Sequence, residues 1–90
     1  MDHSQRQITI TNWVCNNIVN IIQSSIEQTK SMSQKEIKKS IQAIKIYDEE
    51  EKVVVEVALK INNEIHHIEY VIENAQVFSF QKTSERIFDA

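Results

Sequence analysis

The 90-residue chain contains no glycine and no proline, one cysteine and one leucine. The missing glycine has the widest consequence. Phosphate-cradling loops, dinucleotide fingerprints and nucleophile elbows all bend the backbone into regions that only glycine enters easily, so the enzyme classes built on them are disfavoured. With Cys15 as the single cysteine, no internal disulfide forms, and a reducing, intracellular compartment is the simplest reading. Its neighbours Val14 and Asn16 supply no cation to activate the thiol, so Cys15 reads as a small core residue.

Neither sign of charge dominates, with 10 Lys and Arg against 13 Asp and Glu. A net charge of −3, with 26% charged residues and both signs interspersed, gives no broad basic field for nucleic acid or anionic lipid. No apolar run approaches membrane-spanning length, and Met1-Asp2-His3-Ser4 lacks the basic-then-apolar order of an export signal. The expectation is a soluble cytoplasmic protein that is neither inserted nor exported. Isoleucine, by contrast, occurs 15 times, a bias in keeping with an AT-rich coding sequence.

Residues 1–90 make one domain with a modest core, marginally stable alone. Its best-determined part is a β-hairpin over residues 53–72. With Asn62-Asn63 as a two-residue turn, Leu59 faces His66, Val57 faces Ile68, Val55 faces Tyr70 and Val53 faces Ile72, and one face of the ribbon is almost wholly apolar. The opposite face carries Val54–Val71, Glu56–Glu69, Ala58–His67 and Lys60–Ile65, a mixed set. Ile61, Ile65, Ile68, Ile72 and Ala75 also fall at helical spacing. The density of β-branched residues and the coherent register favour strands.

Two helices precede the hairpin. Thr11 or Asn12 caps the first, expected to run to about Lys30 with Val14, Ile18, Ile21, Ile22, Ser25 and Ile26 along one side. Residues 1–11 read as an arm or short strand, because Gln5 to Thr11 alternates through Ile8 and Ile10. Ser33-Gln34-Lys35-Glu36 is a capping box with Met32 and Ile37 placed as a hydrophobic staple, which starts a second helix at Gln34. That helix is expected to end near Ser40, with a strand from about Ala43 in which Ile46 meets Val53 and Ile44 meets Val55 across an acidic turn at 47–52. After the hairpin, Asn74-Ala75 reads as a turn into a last strand, Gln76–Gln81. A two-residue turn sets Phe78 opposite Val71 and Phe80 opposite Glu69, whereas a one-residue bulge flips both inward. Residues 82–90 read as a polar tail with Ile87 and Phe88 as anchors. The fold class is therefore α+β, two N-terminal helices packed on a four-stranded antiparallel β-meander.

Candidate chemistry is thin. His66 and His67 are adjacent, so on a strand they point to opposite faces and cannot chelate one metal together. Asp48 to Glu51 lack the spacing and glycine of a calcium loop and read as a solvated turn. Glu56 and Glu69 are a cross-strand like-charge pair, for which open solvent is a simpler setting than an acid–base couple. Lys35, Lys38 and Lys39, with Lys30 and Lys45 nearby, form a possible basic strip on the second helix, but interleaved Glu36 favours an ordinary solvated face. No catalytic, cofactor-binding or metal-binding set stands out.

Some strings resemble a known family. Lys35-Glu36-Ile37-Lys38-Lys39-Ser40-Ile41, His67-Ile68-Glu69-Tyr70 and Ala75-Gln76-Val77-Phe78-Ser79-Phe80 resemble the second helix, the histidine–aromatic strand and the closing strand of the eight-kilodalton dynein light chains, with Ala75 where a glycine is usual. The resemblance runs from about Val14 to Phe80. It implies a dimer joined through its sheets with helices outside, a non-catalytic light chain or interaction hub, and a cytoskeletal association. Ile8-Thr9-Ile10-Thr11 with Val14, Ile18 and Ile22 also looks like the opening of the bacterial alkaline-shock envelope proteins, a reading that needs residues 65–80 to be helical.

The functional expectation is a non-enzymatic interaction subunit without cofactor. It dimerises with itself or docks on a larger protein subunit through an outer sheet patch of Val54, Val71, Phe78 and Phe80. The alternative is a small nucleic-acid- or phosphate-associated regulator using the lysines of the second helix.

Overall fold

The computed structural model describes residues 3–49, 52–73 and 79–89. Helix α1 (His3–Ser25) leads through a 3₁₀ turn (Glu27–Thr29) to helix α2 (Gln34–Ser40), followed by strands β1 (Ile41–Glu49), β2 (Lys52–Ile61), β3 (Glu64–Glu73) and β4 (Ser79–Asp89). The strands form one antiparallel sheet in the order β1-β2-β3-β4. The fold is thus α+β, two helices followed by a meander.

The β2–β3 hairpin has the register expected from its apolar alternation, from Val53 opposite Ile72 to Ile61 opposite Glu64. Asn62 and Asn63 take φ of 50° and 65° at its tip. Both lie in the left-handed region that asparagine tolerates better than other non-glycine residues, which is what a type I′ turn demands in a chain without glycine. The inner face of the hairpin supplies Val53, Val55, Val57, Leu59, Ile61, Ile68, Tyr70 and Ile72 to a core completed by Ile10, Val14, Ile18, Ile21, Ile22 and Ile26 of the helical segment and Ile37 of α2. The α1 residues recur three and four positions apart, a single stripe that faces the sheet.

Helix α1 begins earlier and ends sooner than the sequence suggests. Residues expected as an arm are its first turns, since Ile10 sits one turn before Val14 and is buried with it, while Ile8 points outward and is 60% exposed. The helix ends at Ser25: the Ile26 amide still donates to Ile22 O at 2.9 Å, and the backbone then leaves the helix. The hydroxyls of Ser24 and Ser25 donate to Ile21 O, and Ile26 turns extended at φ −114° and ψ 114°. Thr29, fully buried, donates to Ile26 O at 2.6 Å, and Gln23 donates to Met32 O at 2.8 Å, which ties the connector to α1. Helix α2 starts with the complete capping box: the Glu36 amide donates to Ser33 Oγ at 3.1 Å, and the Ser33 amide donates to Glu36 Oε1 at 3.3 Å. Cys15 lies off the buried stripe and is exposed, not a core residue.

The two outer strands correct the sequence reading in register. Ile46 pairs with Val55 and Ile44 with Val57, two residues on from the expected partners. The strands run on to Glu49 and Lys52, so more of the expected acidic turn joins the ladder. A shift of two preserves the facing of every side chain, and Ile44 and Ile46 still pack on the core. The expected polar tail is most of β4. Phe80 pairs with Ile72 and Gln81 with Val71, and a bulge at Thr83 restores pairing at Ser84 opposite Glu69. Phe80 therefore lies on the inner face, in edge-to-face contact with Tyr70 at 5.9 Å, and not on the outer patch. Phe78 and the Asn74-Ala75 turn lie outside the described residues.

Candidate functional site

Helices cover one face of the sheet. On the other, the β ladders arrange side chains in rows across the strands. Tyr47, Val54, Val71 and Gln81 form the first row, Lys45, Glu56, Glu69 and Ser84 the second. The third is Ala43, Ala58, His67 and Arg86, and the fourth Lys60, Ile65 and Phe88. The middle of this outer face is a hollow of about 640 Å³. It exists because Ala43, Ala58 and Ser84 are short while the charged side chains of the second and third rows and the Phe88 ring stand around them.

Glu56 and Glu69 are directly paired across β2 and β3. Tyr47 donates its hydroxyl to Glu56 Oε2 at 3.3 Å, and Thr83, the bulged residue of β4, donates to Glu69 Oε1 at 2.8 Å. The bulge thus orients the carboxylate beside it. Among the described residues neither carboxylate takes part in an ion pair, nor does Arg86. Like charges on directly opposed ladder positions repel only weakly in bulk water and several-fold more at the lower effective dielectric near a protein surface. The pair is therefore tolerable in open solvent and costly under any cover that lacks a cation. His67 stands in the next row with its ring edge-to-face to Phe88 at 5.2 Å.

The expected apolar patch is smaller than the sequence suggests. Val54 and Val71 are adjacent on the outer face, but Val54 is only 8% exposed and Phe80 has turned inward. Phe88 joins Tyr47 as an exposed aromatic of this face, 50% exposed and opposite Ile65. Its side assignment follows from the Thr83 bulge, which leaves little trace in the sequence beyond a break in the alternation between Lys82 and Glu85. Arg86 was overlooked for the same reason. Lys35, Lys38 and Lys39 are exposed on α2, on the helix side of the sheet, whereas Lys45 lies on the outer face and does not extend that strip.

A second polar group lies on the inner face, along the β3–β4 seam. The Tyr70 hydroxyl is 2.7 Å from Ser25 Oγ, the Lys82 ammonium donates to Ser25 O at 3.2 Å and to Glu85 Oε1 at 2.7 Å, and Glu85 Oε2 is 3.6 Å from Nδ1 of fully buried His66. This chain of contacts fastens the end of α1 to the edge strand. Burial raises the Tyr70 pKa above its usual 10.0; the Ser25 hydrogen bond opposes the rise and the Glu85 charge adds to it. His66 and His67 point to opposite faces, as their adjacency requires. No group of three or more metal-ligating side chains occurs among the described residues, and no described helix is long and apolar enough to cross a membrane.

Compared with protein-family models, curated proteins and solved structures, the chain matches none.

Proposed function

We propose that this chain is a non-enzymatic interaction subunit that associates through the outer face of its sheet, with a second copy of itself as the simplest partner. The observation that carries the reading is the division of the sheet into two unlike faces. The inner one is covered by α1 and α2 over β2 and β3, with Phe80 and Ile87 of β4 left exposed at its margin. The outer one keeps Val71 and Ile65 half-buried and Phe88 exposed around a hollow. A domain of this size gains by burying such a face, because one layer of helices supplies only a modest core.

Edge-to-edge association is less favourable. Both edge strands are interrupted, β4 by the Thr83 bulge and β1 by the irregularity between Ile41 and Ala43, and both carry charged residues, features that hinder strand addition. The dynein light chain resemblance points the same way, towards sheet-joined dimers with helices outside. Sedimentation velocity tests the reading: the chain sediments as a dimer, and Val71→Asp shifts it to monomer while far-UV circular dichroism keeps its helical signal. A monomer at all concentrations, for the unmutated chain, refutes it.

A further inference from the structure

The charge rows of the outer face select one way of stacking two copies, and this inference rests on the proposed self-association. Stacked sheets lie about 10 Å apart with strands roughly aligned, and a symmetric pair uses the same patch on both copies. Two axes satisfy this. An axis along the strands lays β2 of one copy on β3 of the other and puts Glu56 against Glu69 of the second copy, which adds repulsion to a pair already unbalanced. An axis across the strands, between the second and third rows, lays each second row on the other copy's third row.

We infer that the protein forms a twofold dimer about the axis across the strands, in which Arg86 and His67 of each copy cover Glu69 of the other. The same rotation lays Val71 on Ile65 of the second copy, an apolar contact repeated on both sides of the charged centre, and brings Gln81 onto its Phe88. The short floor of Ala43, Ala58 and Ser84 leaves room for the Arg86 side chain of the second copy. Arg86 suits the role because its planar fork binds a carboxylate bidentately and is more weakly hydrated than an ammonium. Covering the face lowers the local dielectric and strengthens the Glu56–Glu69 repulsion, which Lys45 offsets only on the Glu56 side, since the neighbour of Glu69 in its row is Ser84. This dimer supplies a cation from each side. The area is sufficient: four strands about 4.8 Å apart and about ten residues long span roughly 600 Å² per copy in projection, near the lower bound for a stable interface.

Charge exchange tests the geometry in full-length protein by sedimentation equilibrium. Glu69→Arg and Arg86→Glu should each weaken the dimer by about tenfold or more, equivalent to about 1.4 kcal/mol, since each sets like charges face to face across the axis. The double variant restores the pairing with reversed polarity and should return to within about threefold of the unmutated affinity. Circular dichroism checks that all three remain folded; the positions are on the surface. A double variant no tighter than the weaker single variant overturns the inference, as does a dimer that neither single change weakens, and in both cases sheet association itself stands. An unmutated chain that stays monomeric overturns the dimer and the proposed function together.

Discussion

Replacing Tyr70 with phenylalanine isolates the contact that joins α1 to the sheet. Tyr70 is 1% exposed, its hydroxyl is 2.7 Å from Ser25 Oγ, and its ring meets Phe80 edge-to-face. Phenylalanine keeps the ring and its packing, so the loss is confined to one hydrogen bond, ordinarily worth about 0.5–1.5 kcal/mol net. Ser25 Oγ also bonds Ile21 O at 2.6 Å, so its hydroxyl is not left without a partner, and the cost at neutral pH falls at the low end, about 0.5–1 kcal/mol. The pH dependence is the sharper test. The folded pKa of Tyr70 lies above its unfolded value of 10.0, so the stabilising contribution is complete below pH 10.0 and is lost as pH rises through the folded value. In that window the unmutated protein should lose stability more steeply than Tyr70→Phe, by up to about 1.4 kcal/mol per pH unit for one proton. Urea melts followed by circular dichroism from pH 7 to above pH 10 measure both effects. Identical slopes for the two proteins would refute the account of Tyr70, as would a loss above about 3 kcal/mol at pH 7.

Two further outcomes follow from the helices. Ser33→Ala removes the acceptor for the Glu36 amide and should cost about 0.5–2 kcal/mol in chemical denaturation, towards the lower value because the cap is exposed. No measurable change would mean that α2 does not depend on that cap. Cys15, exposed on α1, should react fully with a thiol reagent in the native protein, with no change in circular dichroism. Reaction only on unfolding would place it in the core after all.

The elements that local chemistry over-determines were legible in the sequence. The hairpin had two agreeing signals, an asparagine pair able to take positive φ and apolar alternation in step on both strands. Helix α2 had a capping box and a staple. Where a single residue decides the outcome, the sequence was silent. Thr83, as a bulge, sends Arg86 and Phe88 to the outer face although Phe80 before it faces inward, and nothing in its own chemistry announces a bulge. At the N-terminus, Ile8 and Ile10 alternate like a strand, but burial of Ile10 one turn before Val14 continues the helix. Residue type alone points Cys15 to the core, whereas its place one position past Val14 puts it off the buried stripe. The charged rows of the candidate site needed all four strands in register, and two of those registers were beyond local signals.

On the proposed reading, the outer sheet face is the surface on which two copies meet. A mixed sample, half carrying labelled methyl groups and half unlabelled, tests this by isotope-filtered nuclear Overhauser spectroscopy. Intermolecular contacts are expected between Val71 of one copy and Ile65 of the other, with none from Ile8 on α1. Intermolecular contacts confined to the helical side, or none at concentrations where the protein is dimeric, would contradict it.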